Sequence, residues 1–277
     1  MKKFILKSLS LAGALAISSV FLTGCGSATG TENLIRVGVC AGPYEDMFKE
    51  GIQPKLEEKG YEVKYVDFSD YVLPNNALAE KEIDVNVFQH STYLKKFSEE
   101  HDLDLTYITE IPTAAMGVFS NSFDSIDSVA EGSEAAIPND DTNLARALRV
   151  LEQTGIIKLS DEIDKSKATV DDIAENPKSL VFKEVNAEVL PTVLDSVGIA
   201  VINGNYAISA GLDLADAVYN EQLGEGYYNV IAVRTEDKDS SFSKDIVSIV
   251  HSDDFRNVIE DESKIYKAFN KPADYDK

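Results

Sequence analysis

A regular alternation of short apolar strands with amphipathic helices is the feature that most constrains the fold of this chain. In its first part the pattern predicts four strands separated by three helices. Consecutive strands joined by helices form parallel sheets covered on both faces, so an α/β protein is predicted. The predicted strands are 34–42, 61–68, 83–88 and 105–111, and the predicted helices are 44–60, a helix beginning near Pro74, and 91–102.

A second run of the same kind begins after Pro112 and predicts a second lobe. A late strand and terminal helices then suggest that the chain crosses over and returns to the first lobe. In open α/β sheets, ligands bind beyond the carboxyl ends of the strands, so the residues just after each strand are the candidates for a site. The second run has strands at 135–138, 179–185 and 198–202 with helices at 139–155, 187–197 and 203–212, and the return has a strand at 227–234 and helices within 242–263.

The strand predicted at 83–88 breaks its own alternation at its end. Ile83, Val85 and Val87 share the apolar face, yet Phe88 and His90 fall on the opposite, polar face. Packing in the core of the sheet does not explain an aromatic ring and an imidazole on that face.

The N-terminus is typical of a lipoprotein signal peptide, predicted at 1–24. It has three lysines, then an apolar segment too short for a convincing membrane span, and then the sequence Leu-Thr-Gly-Cys. That sequence resembles the bacterial lipobox, which implies cleavage before Cys25 and lipid attachment to it. Residues 25–33 are then a lipidated cysteine and flexible tether. With Cys25 modified, Cys40 has no cysteine partner within the chain and is expected to be a small buried apolar residue.

Eight polar and aromatic residues follow the predicted strands closely enough to share one site. Taken singly, each has an ordinary structural role; Arg146, for example, lies on the polar helix face with Asn143 and Arg149, which predicts a solvated arginine. Together they suit a small zwitterionic amino acid: aromatic rings for a thioether or apolar side chain, an arginine for the carboxylate, and amides for the ammonium. The eight are Tyr71, Phe88, His90, Tyr93, Asn143, Arg146, Asn203 and Asn229.

Several blocks in order resemble the methionine-binding lipoproteins of bacterial ABC importers, the NlpA/MetQ family. They include VGVCAGP, FSDYVLPNNAL, IDVNVFQH, NDDTNLARAL, AVINGNYA and YYNVIAVR, and they span the whole chain. The resemblance implies a two-lobed periplasmic-binding-protein-like fold of type II, the Venus-flytrap arrangement, with the ligand cleft between lobes. Lobe I would comprise 34–114 plus 230–277, and lobe II 115–229.

The same resemblance implies the role of each candidate. Tyr71, Phe88, His90 and Tyr93 would surround the methionine side chain, and Arg146 would bind its carboxylate. Asn203 and Asn229 would bond the amino-acid backbone groups, with Asn143 as a further contact. Phe88 and His90 would then leave the sheet pattern because they face the cleft.

The implied function is capture of methionine, the L form first, outside the cell membrane, and its delivery to an ABC permease with ATPase subunits. The N-terminal lipid would anchor the chain on the extracytoplasmic side. No cofactor, no metal and no enzyme activity are expected: the three histidines lack metal-ligand spacing, and no hydrolase or phosphate-loop motif occurs. A net charge of −22 argues against nucleic acid as a partner. The alternatives are another small amino acid or short peptide as ligand, or a surface lipoprotein without a transport role.

Overall fold

A computed structural model describes residues 33–275 of the protein, and the expected signal peptide and the Cys25 tether lie outside this range. Strands and helices alternate through most of it. The strands are β1 (Leu34–Cys40), β2 (Glu62–Phe68), β3 (Val85–Asn86), β4 (Leu105–Ile111), β5 (Gly117–Phe119), β6 (Glu134–Pro138), β7 (Lys158–Leu159), β8 (Ile173–Glu175), β9 (Val181–Val185), β10 (Ile199–Ile202), β11 (Tyr219–Asn220) and β12 (Asn229–Arg234). The helices are α1 (Tyr44–Gly51), α2 (Gln53–Glu58), α3 (Leu73–Ala79), α4 (Ser91–His101), α5 (Asp141–Thr154), α6 (Leu190–Val193), α7 (Gly204–Ser209), α8 (Ser241–Val250) and α9 (Asp253–Ile259).

Two five-stranded sheets organise the described chain. The first has the order β2-β1-β3-β12-β4, and the second has the order β11-β5-β10-β6-β9. In each, four strands run in one direction and one runs against them: β12 in the first sheet and β5 in the second. The predicted α/β class with mainly parallel sheets is confirmed. We call each sheet with its helices a lobe; the boundaries 34–114 plus 230–277 and 115–229 stay a prediction.

Each lobe has its own apolar core. In the first lobe, α1, α2, α8 and α9 cover β1, β3 and β12, with Phe48 and Phe255 fully buried between these layers. In the second lobe, α5 packs Leu148 and Leu151 against β6 and β10. The strands β1 and β10 are therefore well packed up to their carboxyl ends, and the loops that follow these two strands are in contact.

Three predicted elements differ from the structure. The helix predicted at 44–60 is interrupted at Ile52, because Pro54 lies in the first turn of α2 and supplies no backbone donor to α1. The helix predicted at 187–197 is only a single α-turn, Leu190–Val193, flanked by 3-10 turns. The strand predicted at 83–88 is regular only over Val85–Asn86; beyond it, Val87 still bonds to β1, and Gln89 and His90 bond to β12.

The short strands β5, β7, β8 and β11 have too few residues to show a period in the sequence. Within residues 33–275, no helix is both long and apolar enough to cross a lipid bilayer.

Candidate functional site

One cavity between the lobes is lined by all eight residues singled out from the sequence. The first lobe contributes the loops after β1, β2 and β3, and the second contributes the start of α5 and the turn after β10. A water-sized sphere can occupy about 20 Å³ of it, roughly one water. The lining consists of Tyr44, Tyr71, Phe88, Gln89, His90, Tyr93, Ala114, Asn143, Arg146, Asn203, Gly204, Asn205 and Asn229.

A larger hollow of about 430 Å³ lies nearby, between α4 and α5. Its charged groups, such as Lys95, Glu99 and Lys167, are exposed to solvent. We assign the site to the smaller cavity, because its polar side chains are buried and converge.

Gln89 explains why Phe88 and His90 face the cavity. Its side chain turns into the first lobe, where Nε2 donates to Asn75 Oδ1 at 2.6 Å and to Asn86 Oδ1 at 2.9 Å, and Oε1 accepts from Asn75 Nδ2 at 2.8 Å. Neighbouring side chains of an extended segment point to opposite sides, so fixing Gln89 inward directs Phe88 and His90 outward. This network of buried amides was not predicted from the sequence.

The apolar wall of the cavity is a stack of rings that crosses between the lobes. The Tyr71 ring lies between Phe88, at a centroid distance of 5.5 Å, and Tyr206 of the second lobe, at 4.9 Å. Tyr93 meets both Tyr71 and Phe88 edge-on. Tyr71 also donates its hydroxyl hydrogen to Asn205 Oδ1 at 2.7 Å, so Tyr71 is fixed by both lobes.

His90 is a neutral donor in this site. Its Nδ1 accepts from the backbone N–H of Tyr93 and so caps α4, which leaves the ring proton on Nε2, 3.3 Å from Asn143 Oδ1. Burial, with the nearby positive charge of Arg146, lowers the pKa of His90 to about 3. The imidazole is therefore uncharged at neutral pH.

A relay of amides orients Asn203. The Asp140 carboxylate only accepts hydrogen bonds, so it holds the Nδ2 group of Asn143, at 3.0 Å, and turns Asn143 Oδ1 toward the cavity side. That oxygen accepts from Asn203 Nδ2 at 2.9 Å. The remaining polar atom of Asn203, its Oδ1, is buried and has no partner. It is thus an acceptor available to a donor group of a ligand.

Arg146 is not the solvated arginine that its helix face predicted. The polar face of α5 is covered by the β11–β12 connection, and the arginine is only 4 % exposed. Its Nε and Nη2 donate to the two carboxylate oxygens of Glu221 at 2.8 and 2.6 Å. Burial acts to lower the pKa of Arg146, but the charge and hydrogen bonds of Glu221 outweigh it and raise that pKa. Glu221 was missed because nothing in its loop sequence distinguishes it.

Asn229 joins the returning strand to the site. Its Nδ2 donates to the carbonyl oxygen of Phe88 at 3.0 Å, and its backbone N–H donates to Thr113 Oγ1 at 2.7 Å. The side chain thus secures the Phe88 segment from the β12 side while lining the cavity.

Asn205 was also missed as a site residue. Its Nδ2 donates to the carbonyl oxygen of Ala41 at 3.0 Å, so one amide contacts the loops after both β1 and β2. Next to Ala41, Gly42 has φ +135°, and a Cβ there would lie 2.6 Å from the Cβ of Asn205. The lobes approach this closely only because residue 42 has no side chain.

Among residues 33–275, no cluster of three or more His, Cys, Asp or Glu side chains is arranged to hold a metal ion. Cys40 lies beneath the aromatic wall, and its Sγ contacts the carbonyl oxygen of Asp70 at 3.2 Å. Burial raises the pKa of its thiol well above the usual range.

A sequence profile of the NlpA lipoprotein family matches residues 35–273. Among characterised relatives, the D-methionine-binding lipoprotein MetQ of Salmonella typhi is 36 % identical over 271 residues, which is 97 % of this chain and 96 % of the relative.

Solved structures are also similar to this chain, both in sequence and in fold. A nutrient-binding protein from Burkholderia cenocepacia, bound to methionine, is 38 % identical with a TM-score of 0.79, and the match covers 84 % of this chain and 97 % of that one. An ABC-transporter periplasmic substrate-binding protein from Coxiella burnetii is 37 % identical with a TM-score of 0.76, covering 82 % and 95 %.

Proposed function

Because the chain belongs to the NlpA lipoprotein family, we propose that it is the substrate-binding lipoprotein of an ABC importer and that the cavity between its lobes binds methionine. It has the two-lobed periplasmic-binding-protein-like fold expected from the sequence. The family is one of substrate-binding proteins, and we assign this chain a binding role without turnover.

The observation that carries the ligand assignment is the buried, unpartnered Oδ1 of Asn203. An ammonium group donates strongly and would satisfy this oxygen. Arg146, on the same cavity, supplies N–H donors for the carboxylate of the same ligand. These two groups match the two charged ends of an amino acid.

The aromatic wall supports methionine among the amino acids. Tyr71, Phe88 and Tyr93 present ring faces and edges, with which a thioether sulfur makes favourable contacts. The only charged side chain in the lining is that of Arg146, so a charged ligand side chain would have no counter-ion.

Binding would involve movement of the lobes. The cavity as it stands admits about one water, so the lobes must part for a ligand to enter. Closure would then remove water from the Arg146–carboxylate contact and strengthen it, and the closed form would present the loaded state to the permease.

A ligand screen tests the proposal. The protein is unfolded and refolded to remove any co-purified ligand, and its melting temperature is measured with single amino acids and short peptides, both methionine enantiomers included. At a hundredfold excess over Kd, linkage predicts about 2.7 kcal/mol of stabilisation, a rise of several degrees at this size. A shift with another amino acid or a peptide and none with methionine would replace the ligand and keep the fold.

The membrane attachment and the transport partners are further parts of the proposal. We assign the lipid to Cys25 and the partner to a permease with ATPase subunits; the family's description as lipoproteins supports the first. Labelling with a radioactive fatty acid tests the lipid: Cys25→Ser should abolish incorporation, whereas Cys40→Ser should not.

A further inference from the structure

Glu221 lies behind the cavity rather than in it. It follows β11, and its side chain is 4 % exposed and that of Arg146 5 %. One carboxylate oxygen also accepts from the backbone N–H of Met116 at 3.0 Å, which ties Glu221 to the residue that immediately precedes β5. The position of Arg146 is therefore set by the sheet of the second lobe.

The pairing with Glu221 uses one whole edge of the guanidinium. Nε and Nη2 each donate one hydrogen to Glu221. A guanidinium has five N–H groups, so three remain, two on Nη1 and one on Nη2, and a ligand carboxylate is left with the edge formed by Nη1 and Nη2. The other edge, formed by Nε and Nη2, is already occupied by a protein carboxylate.

The charge around the cavity is consequently not positive. Arg146 carries the only full positive charge in the lining, His90 is neutral, and Glu221 balances Arg146 at contact distance. Asp140 adds a further carboxylate behind Asn143, which in turn accepts from Asn203 Nδ2. A lone anion would meet no uncompensated positive charge here.

We propose that Glu221 is a specificity-determining residue, which acts through Arg146 to restrict the site to ligands that carry their own ammonium group. This inference rests on the proposed amino-acid function of the cavity. A zwitterion places its ammonium at Asn203 Oδ1 and its carboxylate at Arg146, and so enters without changing the net charge. The 2-hydroxy analogue of methionine is an anion without the ammonium, and it adds an uncompensated negative charge beside Glu221.

The test compares affinities for L-methionine and for its 2-hydroxy analogue by calorimetry in the wild type, Glu221→Gln, Glu221→Asp and Glu225→Gln. Glu225→Gln is the matched control, because it removes an equal charge from an exposed position in the same loop. In Glu221→Gln, the ratio of the affinity for L-methionine to the affinity for the analogue should fall by at least about tenfold, because Arg146 then lacks a charged partner. Glu225→Gln should leave the ratio unchanged, and Glu221→Asp should retain it.

A purely structural role for Glu221 would weaken both ligands equally, so a ratio that changes less than tenfold in Glu221→Gln overturns the proposal. If that variant does not fold, the wild type decides: a preference for L-methionine over the analogue of less than tenfold overturns the proposal, and a preference of tenfold or more supports it. Binding of neither ligand to the wild type would instead reject the methionine-binding function on which the proposal rests.

Discussion

At the scale of single residues, the site depends on groups whose protonation and orientation are set by burial. His90 and Asn203 are the clearest cases: each was found at a strand end from the sequence, but the state of each depends on its burial and on partners such as Asn143, which lies 53 residues from His90 and 60 from Asn203. The sequence could place them near one another, but it could not show that the imidazole is neutral or that the amide oxygen of Asn203 is left without a partner.

Acid should destabilise the fold through His90. Because the pKa of His90 is lowered from 6.5 to about 3, the unfolded chain binds a proton between these values that the folded protein does not. The contribution of neutral His90 to the free energy of unfolding is therefore fully present above pH 6.5 and is lost as the pH falls toward 3. Lowering the pH from 7.5 to 5 should cost about 2 kcal/mol through His90 alone.

Urea unfolding across this pH range measures the effect in the wild type, His90→Asn and His101→Asn. Asparagine also caps helices well, so His90→Asn keeps the α4 cap while it removes the group that titrates. The pH dependence should flatten in His90→Asn and persist in His101→Asn, whose parent side chain is exposed. Identical pH profiles for the two variants would contradict a buried neutral His90.

The amide relay predicts a role for Asp140 in binding. Asp140→Asn keeps an N-cap residue on α5 but introduces a donor, so Asn143 and then Asn203 are no longer held in one orientation. Methionine affinity should fall by about 1.5–3 kcal/mol, the range of one hydrogen bond to a charged group. Asp141→Asn removes the neighbouring exposed carboxylate and should have little effect; equal losses in both variants would point to long-range charge instead of orientation.

At the scale of elements, the sequence predicted most strands and helices because apolar periodicity is a local property. It also flagged Phe88 and His90 as exceptions to the strand pattern. It could not find Glu221, Gln89 or Asn205 as site residues, because their roles follow from which loops meet across the two sheets. Arg146 shows the same limit: the polar face of α5 was correctly identified, but the segment that covers it comes about 75 residues later in the chain.

Asn75 is predicted to hold the cavity-facing segment in place. Asn75→Leu removes the partner of the buried Gln89 amide, which should cost about 1–3 kcal/mol for the unsatisfied polar groups. The loosened segment would also misplace Phe88 and His90, so methionine affinity should fall as well. Asn76→Leu, at the next position of α3 but only half-buried, is the control; denaturant unfolding and titration of both variants measure the two effects.

At the scale of the whole molecule, closure requires that nothing stands between the loops after β1 and β10. Gly42→Ala places a Cβ about 2.6 Å from that of Asn205 and should hold the lobes apart. Methionine affinity should fall at least about tenfold, since the closed form is then less populated.

Gly60→Ala is the control for this change. Gly60 also has positive φ, +91°, but a Cβ there meets only Asn33 Nδ2, at 4.0 Å. Both variants carry the backbone strain of alanine at positive φ, but only Gly42→Ala should fail to compact in small-angle scattering when methionine is added. Compaction of Gly42→Ala equal to that of Gly60→Ala would contradict the closure contact.

We propose that the cavity between the lobes binds methionine through an aromatic wall, Arg146 and Asn203. A calorimetric titration of methionine into the refolded wild type, Asn203→Leu and Asn121→Leu tests this binding; Asn121→Leu alters an exposed asparagine of the second lobe. We expect saturable one-to-one binding by the wild type and Asn121→Leu, and affinity lower by about tenfold or more in Asn203→Leu, which leaves the ammonium unpaired. Wild-type protein that releases no heat and shows no saturation with either enantiomer, or Asn203→Leu that binds as tightly as the wild type, would contradict it.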